Sequence, residues 1–286
     1  MKRITLLSVS FMMMLAAFTF SCKQQEATPN APVNNNGISQ EVINQFKDLG
    51  IDARNGVYTT QTNPLTGKTQ KGYSLEKDVF VSEDQFKEML ASPTTEGANG
   101  EQYRTSNLVN APRTIRVLGY TANNSNGLGS TLREALRQAI DRYNAENLSL
   151  RFTLAFGSNF QVYDIVVYQV SNGSIGASAG FPTNGNPYKW VRMNSGVNNG
   201  GIQLARHITM HELGHCIGFR HTDWFNRSIS CGSGGNEGTA GVGAIHIPGT
   251  PVAPSFDNKS IMLSCGGLGT PGAFSAGDRT ALNYLY

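Results

Sequence analysis

His211-Glu212-Leu213-Gly214-His215-Cys216-Ile217-Gly218-Phe219-Arg220-His221 is the stretch on which the reading of this 286-residue chain turns. Residues four apart on a helix share a face, so His211 and His215 present two imidazoles to one point, with Glu212 beside them. A helix continued as far as His221 would carry that residue about 280° round from His211. The chain must therefore leave the helix and swing back, and Gly218 is where it can, because glycine adopts the positive φ that ends helices. His211, His215 and His221 then make a three-histidine zinc site. Cys216 is the rival fourth ligand, but on the helix it points about 100° away from the metal face, and a closed structural site has no use for Glu212. Three protein ligands leave one position for water, whose pKa zinc lowers towards neutrality. Glu212 is then the general base that takes the water's proton and passes it to a leaving amine. The expected chemistry is hydrolysis of a carbonyl compound, most simply a peptide bond.

Downstream, Met262 lies 41 residues after His221, in Ser260-Ile261-Met262. With that turn the sequence resembles the metzincin zinc peptidases, whose signature is this extended motif followed by a methionine-containing turn. Within them it resembles the bacterial dual-action HEIGH metallopeptidases, with Leu213 where that name has Ile. The specific motifs span residues 207–264, and the order of strands and helices extends the likeness over 111–286. The resemblance implies an α+β catalytic domain: a twisted five-stranded mixed sheet above the site, an active-site helix and a smaller C-terminal subdomain. By the same resemblance His211, His215 and His221 are the ligands, Glu212 the base and Met262 the apolar floor beneath the zinc. Thr222 directly after the third histidine and Ser264 two places after the methionine depart from residues that some metzincin subfamilies carry there, so no tyrosine ligand is expected.

The other two histidines have plainer readings. His207 shares the face of His211 but has no glutamate at the right spacing, so it is read as a packing or supporting residue. His246 is read as a loop histidine. Residues 114–120 alternate as a strand, and Thr131 with Glu134 caps a helix bearing Leu132, Ala135, Leu136, Ala139, Ile140 and Tyr143 on one face. Residues 152–156 and 189–194 read as further strands, and 163–170 as one buried on both faces. Trp190 and Met193 belong to the core. Residues 176–181, poor in bulky side chains, read as an edge strand able to bind substrate by strand addition. Residues 275–286 form a closing helix capped by Ser275. Earlier in the chain, 39–49 is amphipathic, 78–81 is strand-like, Ser82 with Gln85 starts a helix, and the residues between are Gly- and Thr-rich turns. The polar stretch 91–110 reads as a linker, with a boundary near Ala111.

The N-terminus sets the compartment. Residues 1–22 have a basic start, an apolar run and then Ser21-Cys22, the pattern of a signal peptide of lipoprotein type, with Cys22 as the lipidated residue. Residues 23–36 are a polar tether. Nothing else in the chain could span a bilayer. The expected location is therefore the bacterial cell envelope, at the outer membrane or surface, or the medium after processing. The formal charge of +3 comes down to 21 basic against 20 acidic residues once Lys2 and Arg3 are set aside, which gives no electrostatic reason for nucleic acid or an anionic membrane as partner. A monomer acting on peptide or protein is expected. Two other readings use the same residues: a non-catalytic zinc-stabilised binding lipoprotein, against which the intact Glu212 argues, and a zinc-dependent hydrolase of a non-peptide acyl substrate.

Four cysteines, one of them lipidated, leave three for an oxidising compartment. Cys231 and Cys265 lie in Gly-rich loops while Cys216 sits in the active-site helix, so a Cys231–Cys265 bridge is expected, pinning the loop that carries Met262. An exported peptidase with an open zinc site endangers its own cell, so residues 37–110 read as a pro-segment, with exposed cleavage sites such as Arg104. No cysteine lies between Cys22 and Cys216, so a carboxylate is the candidate for blocking the site, as in the pro-segments of some metzincins. Asp78, in Glu76-Lys77-Asp78, is the chosen residue.

Overall fold

The computed structural model describes residues 36–49, 51, 53–75, 78–91, 102–233, 245–251, 255–266 and 272–286. The signal segment with Cys22, the tether through residue 35, Glu76-Lys77 and residues 92–101 lie outside the described residues. In chain order the elements are α1 (Gln40–Asp48), β1 (Val57–Thr62), β2 (Thr69–Leu75), β3 (Val79–Ser82), α2 (Glu83–Ala91), β4 (Tyr103–Arg104), β5 (Arg113–Tyr120), α3 (Ser130–Ala145) and β6 (Leu150–Gly157). They continue with β7 (Ile165–Val170), β8 (Ala177–Ser178), β9 (Trp190–Asn194), α4 (Gly201–Ile217), α5 (Ser228–Cys231), β10 (Ile245–His246) and α6 (Ala276–Leu285). Among the described residues no helix is long and apolar enough to cross a membrane.

Five strands form a mixed sheet in the order β6-β5-β7-β9-β8, giving the α+β class. β6, β5, β7 and β9 are parallel, and β8 closes one edge antiparallel to β9. Side chains alternate between faces of a strand, and β7 is apolar on both because both faces are covered. Ile165 and Val167 join the main core beneath α3 and α4. Val166 and Tyr168 face a smaller cluster that includes Trp190 and Phe160. The six apolar positions of α3 are all buried, and Leu132, Leu136 and Ile140 each contribute about 1.5–3 kcal/mol by leaving water. The cap differs from the sequence reading: α3 starts at Ser130 after Gly129, one residue before Thr131.

A second core gathers α1, β1–β3 and α2 around Phe46, Tyr73, Leu75, Phe86 and Met89. The ring of Phe46 stacks on Phe86 with centroids 4.0 Å apart. Residues read as turns here form the β1–β2 hairpin, which β3 extends antiparallel. Ser82 Oγ accepts from the Gln85 amide as expected of a cap, while the Gln85 side chain donates to Phe181 O at 2.7 Å instead of turning back. Phe181 itself belongs to this second core. The two regions also share backbone pairing: Phe80 N donates to Ala179 O and Ala179 N to Asp78 O, at 2.8 and 2.9 Å, in parallel register beside β8.

Residues 102–110, read as the end of a linker before a boundary at Ala111, are part of the later fold. β4 pairs with β10, Thr105 N donates to Gly218 O, and Arg220 N donates to Tyr103 O. Gln102 and Thr105 are fully buried. Polar side chains mislead here because their hydrogen bonds are made inside the protein. Arg104, half-buried in β4, is correspondingly a poor cleavage site.

Candidate metal centre

α4 has apolar residues on every side and is buried almost continuously from Leu204 to Ile217, as a helix enclosed by a domain must be. It ends at Gly218, with φ of 113°, whose amide donates to Gly214 O and His215 O. A Cβ at 218 would meet Leu108 Cδ2 at 2.7 Å and Asn107 O at 3.0 Å. Gly218→Ala is therefore expected to lose about 1–3 kcal/mol, from the left-handed backbone and this crowding together, read as a drop in Tm. An unchanged Tm would mean that the turn does not need glycine.

Past that turn the chain returns His221 to the helix face. His211, His215, His221 and Asp78 bring one ligand atom each within 4.8 Å of one another. His211 Nε2 and His215 Nε2 are 2.9 Å apart. Asp78 Oδ2 lies 3.1 Å from His221 Nε2 and 3.6 Å from His211 Nε2. The donor set fits a metal ion for a definite reason. His211 Nδ1 meets Ile261 O and His215 Nδ1 meets Phe219 O, each at 2.9 Å. A carbonyl only accepts, so both protons sit on Nδ1 and two bare Nε2 lone pairs face each other. A shared cation relieves that opposition. Burial, with the charges of His211 and His221, pushes the His215 pKa well down, favouring the neutral ligand form.

The carboxylates behave oppositely. Burial pushes the Asp78 carboxyl up, but the charge on His221 and the imidazoles of His211 and His221 beside the carboxylate hold it well below the usual range. Burial pushes Glu212 well up and the charge on Asp78 adds to this. Glu212 is 2% exposed, and its Oε2 has no hydrogen-bond partner among the described residues.

Met262 packs against the helix from below. A Cβ on Gly214 would come within 2.5 Å of its Sδ, so glycine at 214 is what lets the turn approach. Thr222 N donates to Met262 O, tying the turn to the chain after His221. Asp278, on α6, holds the turn from the other side: its carboxylate accepts from Ser260 Oγ at 2.6 Å, Ile261 N at 2.8 Å and Ser275 N at 2.9 Å. Sequence reasoning missed Asp278; its one local signal is the capping box it forms with Ser275. Asp278→Ala leaves several buried donors unpaired, so a loss of about 2–3 kcal/mol is expected in a denaturant titration. A loss below about 0.5 kcal/mol, the scale of an ordinary surface change, would remove Asp278 as the anchor.

Cys231 and Cys265 form a disulfide between the end of α5 and the chain after Met262, and Cys216 is a buried free thiol. Asp223, also unforeseen, reinforces that link by accepting from Ser264 N and Oγ, both at 2.8 Å, and from Ser230 Oγ. Thr222 is buried and bonds Ser260 Oγ at 2.7 Å. His207 is 2% exposed and stays outside the ligand cluster, its ring 6.5 Å from that of His211; burial and then His211 lower its pKa to about 3. His246 sits in β10, with Nε2 3.1 Å from Thr250 Oγ1. Trp190 is half-buried and Met193 lies in the main core.

Two buried imidazoles with opposed lone pairs, a third beside them and a glutamate on the same helix define a metallohydrolase type of site. The family model of the dual-action HEIGH metallo-peptidases matches residues 73–286, and the chain belongs to that family of metallopeptidases. Two solved structures of myroilysin are similar. One is 14% identical with a TM-score of 0.40, covering 63% of this chain and 96% of that one. The other is 14% identical with a TM-score of 0.37, covering 59% and 81%. No curated protein matches the chain.

Proposed function

We propose that the chain is an exported zinc endopeptidase of the metzincin type, tethered to the bacterial envelope through Cys22 and held latent by Asp78. The observation that carries the reading is the pair of Nε2 atoms 2.9 Å apart, each ring fixed through Nδ1 on a carbonyl, with His221 returned to them by Gly218. Zinc bound by His211, His215 and His221 would supply a Lewis acid that polarises the scissile carbonyl and brings the pKa of water towards neutrality. Glu212 accepts the proton of the attacking water at its unpartnered oxygen. It then delivers that proton to the amine nitrogen as the C–N bond breaks, leaving a carboxylate and an amine. Met262 closes the floor with an apolar surface that adds no competing donor.

Latency is supported by two observations on one segment. The Asp78 carboxylate takes up the histidine lone-pair side, and the backbone from Asp78 to Phe80 pairs with Ala179 at the sheet edge that a substrate strand would need. The export reading rests on the sequence of residues 1–22. The test of function is mass spectrometry of a peptide library incubated with the zinc-loaded, proteolytically processed protein, with and without chelator. Chelator-sensitive cleavage inside peptides is expected. An intact library with a hydrolysed acyl-ester substrate would move the activity to non-peptide compounds, and silence on both would leave a zinc-stabilised binding protein.

A further inference from the structure

A cleft of about 260 Å³ runs from Glu212 and His211 to His207, walled by Ile208, Leu263 and Gly266. His207 is 2% exposed, yet neither ring nitrogen has a hydrogen-bond partner among the described residues. A buried polar group without a partner is costly, and one at the end of an open cleft calls for a ligand as its explanation. Gly266 supplies a second observation: a Cβ there would lie 2.4 Å from His207 Nε2. The missing side chain at 266 is what leaves the ring room beside the cleft.

We propose that His207 is the floor of a substrate subsite and selects a long, uncharged side chain that ends in a group able both to donate and to accept a hydrogen bond, as in glutamine or tyrosine. The inference rests on the peptidase reading of the adjoining centre, since it assigns the cleft to a residue flanking the scissile bond. The uncharged imidazole offers one N–H and one lone pair, which a primary amide or a phenol complements and an alkyl chain does not. Ile208 and Leu263 pack the apolar stem. A site built to hydrogen-bond its ligand rejects the isostere that lacks the group, because its own polar atom is then left unpaired.

The test uses small ligands on the full-length protein, N-acetyl-glutamine amide against N-acetyl-norleucine amide, followed through the ring resonances of its five histidines. Glutamine amide is expected to bind about tenfold more tightly and to shift the His207 ring. In His207→Leu the order reverses, which loss of a purely structural contact would not cause. Equal binding, a preference that survives in His207→Leu, or shifts that bypass His207 would overturn the proposal. Should His207→Leu fail to fold, the wild-type ring shifts decide alone. The binding preference without any peptide cleavage by the zinc-loaded, processed protein would support the subsite while removing the hydrolysis reading. Cleavage without the preference would remove the subsite and leave hydrolysis.

Discussion

Glu212→Ala in the zinc-loaded, processed protein is expected to cleave peptide roughly 10²–10⁴-fold more slowly than wild type with its metal content unchanged, the range a positioned general base contributes. The glutamate follows His211 directly on α4 and is buried beside the histidines without joining the ligand cluster. Burial raises its pKa, so the carboxylate is a stronger base than a solvated one, as the proposed transfer of a proton from water to amine requires. Removing it deletes the proton carrier and leaves the three imidazoles in place. Cleavage above about a hundredth of the wild-type rate would take the base role from Glu212. Loss of metal together with activity would make it a structural support of the ligands.

Processing within residues 92–101 is expected to raise activity roughly a hundredfold or more, because a tethered occupant competes with substrate at an effective concentration in the millimolar range. On the proposed latency, two separate contacts have to be undone. The Asp78 carboxylate is 3.1 Å from His221 Nε2, and the backbone around Val79 pairs with Ala179. Asp78→Ala in the intact chain removes only the first, so partial activation is expected from it and full activation from processing. The second core bears on where cleavage can occur. It holds α1, β1–β3 and α2 together with Phe181, whereas Gln102 and the residues after it are woven into the later sheet and the Gly218 turn. A chain beginning at Gln102 is therefore the comparison that keeps the catalytic region whole, where one beginning at Ala111 would remove buried Tyr103 and Thr105. Equal specific activity of full-length and processed protein would make the segment a folding aid or a separate domain. An unchanged Asp78→Ala protein would clear Asp78 of the role.

The parts of the fold that could be read from the sequence are those whose cause is local. Helical spacing puts His211 and His215 on one face, and only a glycine suits the turn at 218. The six apolar positions of α3 declare its buried face, and the unbroken apolar run of β7 declares a strand covered on both sides. The parts that escaped are non-local or polar. β1 and β2 carry Thr and Lys on exposed positions and Gln on half-buried ones, so their pairing comes from the hairpin and from the Tyr73 and Leu75 side of β2, with no apolar alternation along β1 to announce it. Gln102 is fully buried because Ser260 and Asp278, more than 150 residues later, supply its partners. Asp278 and Asp223 hold the methionine turn and the disulfide loop from a distance. No spacing rule links an aspartate on the last helix to a turn that precedes it. Asp78 could be chosen as a carboxylate near a strand, but its approach to His221 depends on the β3–Ala179 pairing, which no local pattern encodes.

Anomalous diffraction at the zinc absorption edge, from crystals of the zinc-loaded protein, tests the central claim most directly. A single strong peak per chain within bonding reach of His211 Nε2, His215 Nε2 and His221, with Zn–N close to 2.0–2.1 Å, is the predicted result. No peak at the three histidines, or a zinc held elsewhere in the chain, would contradict it.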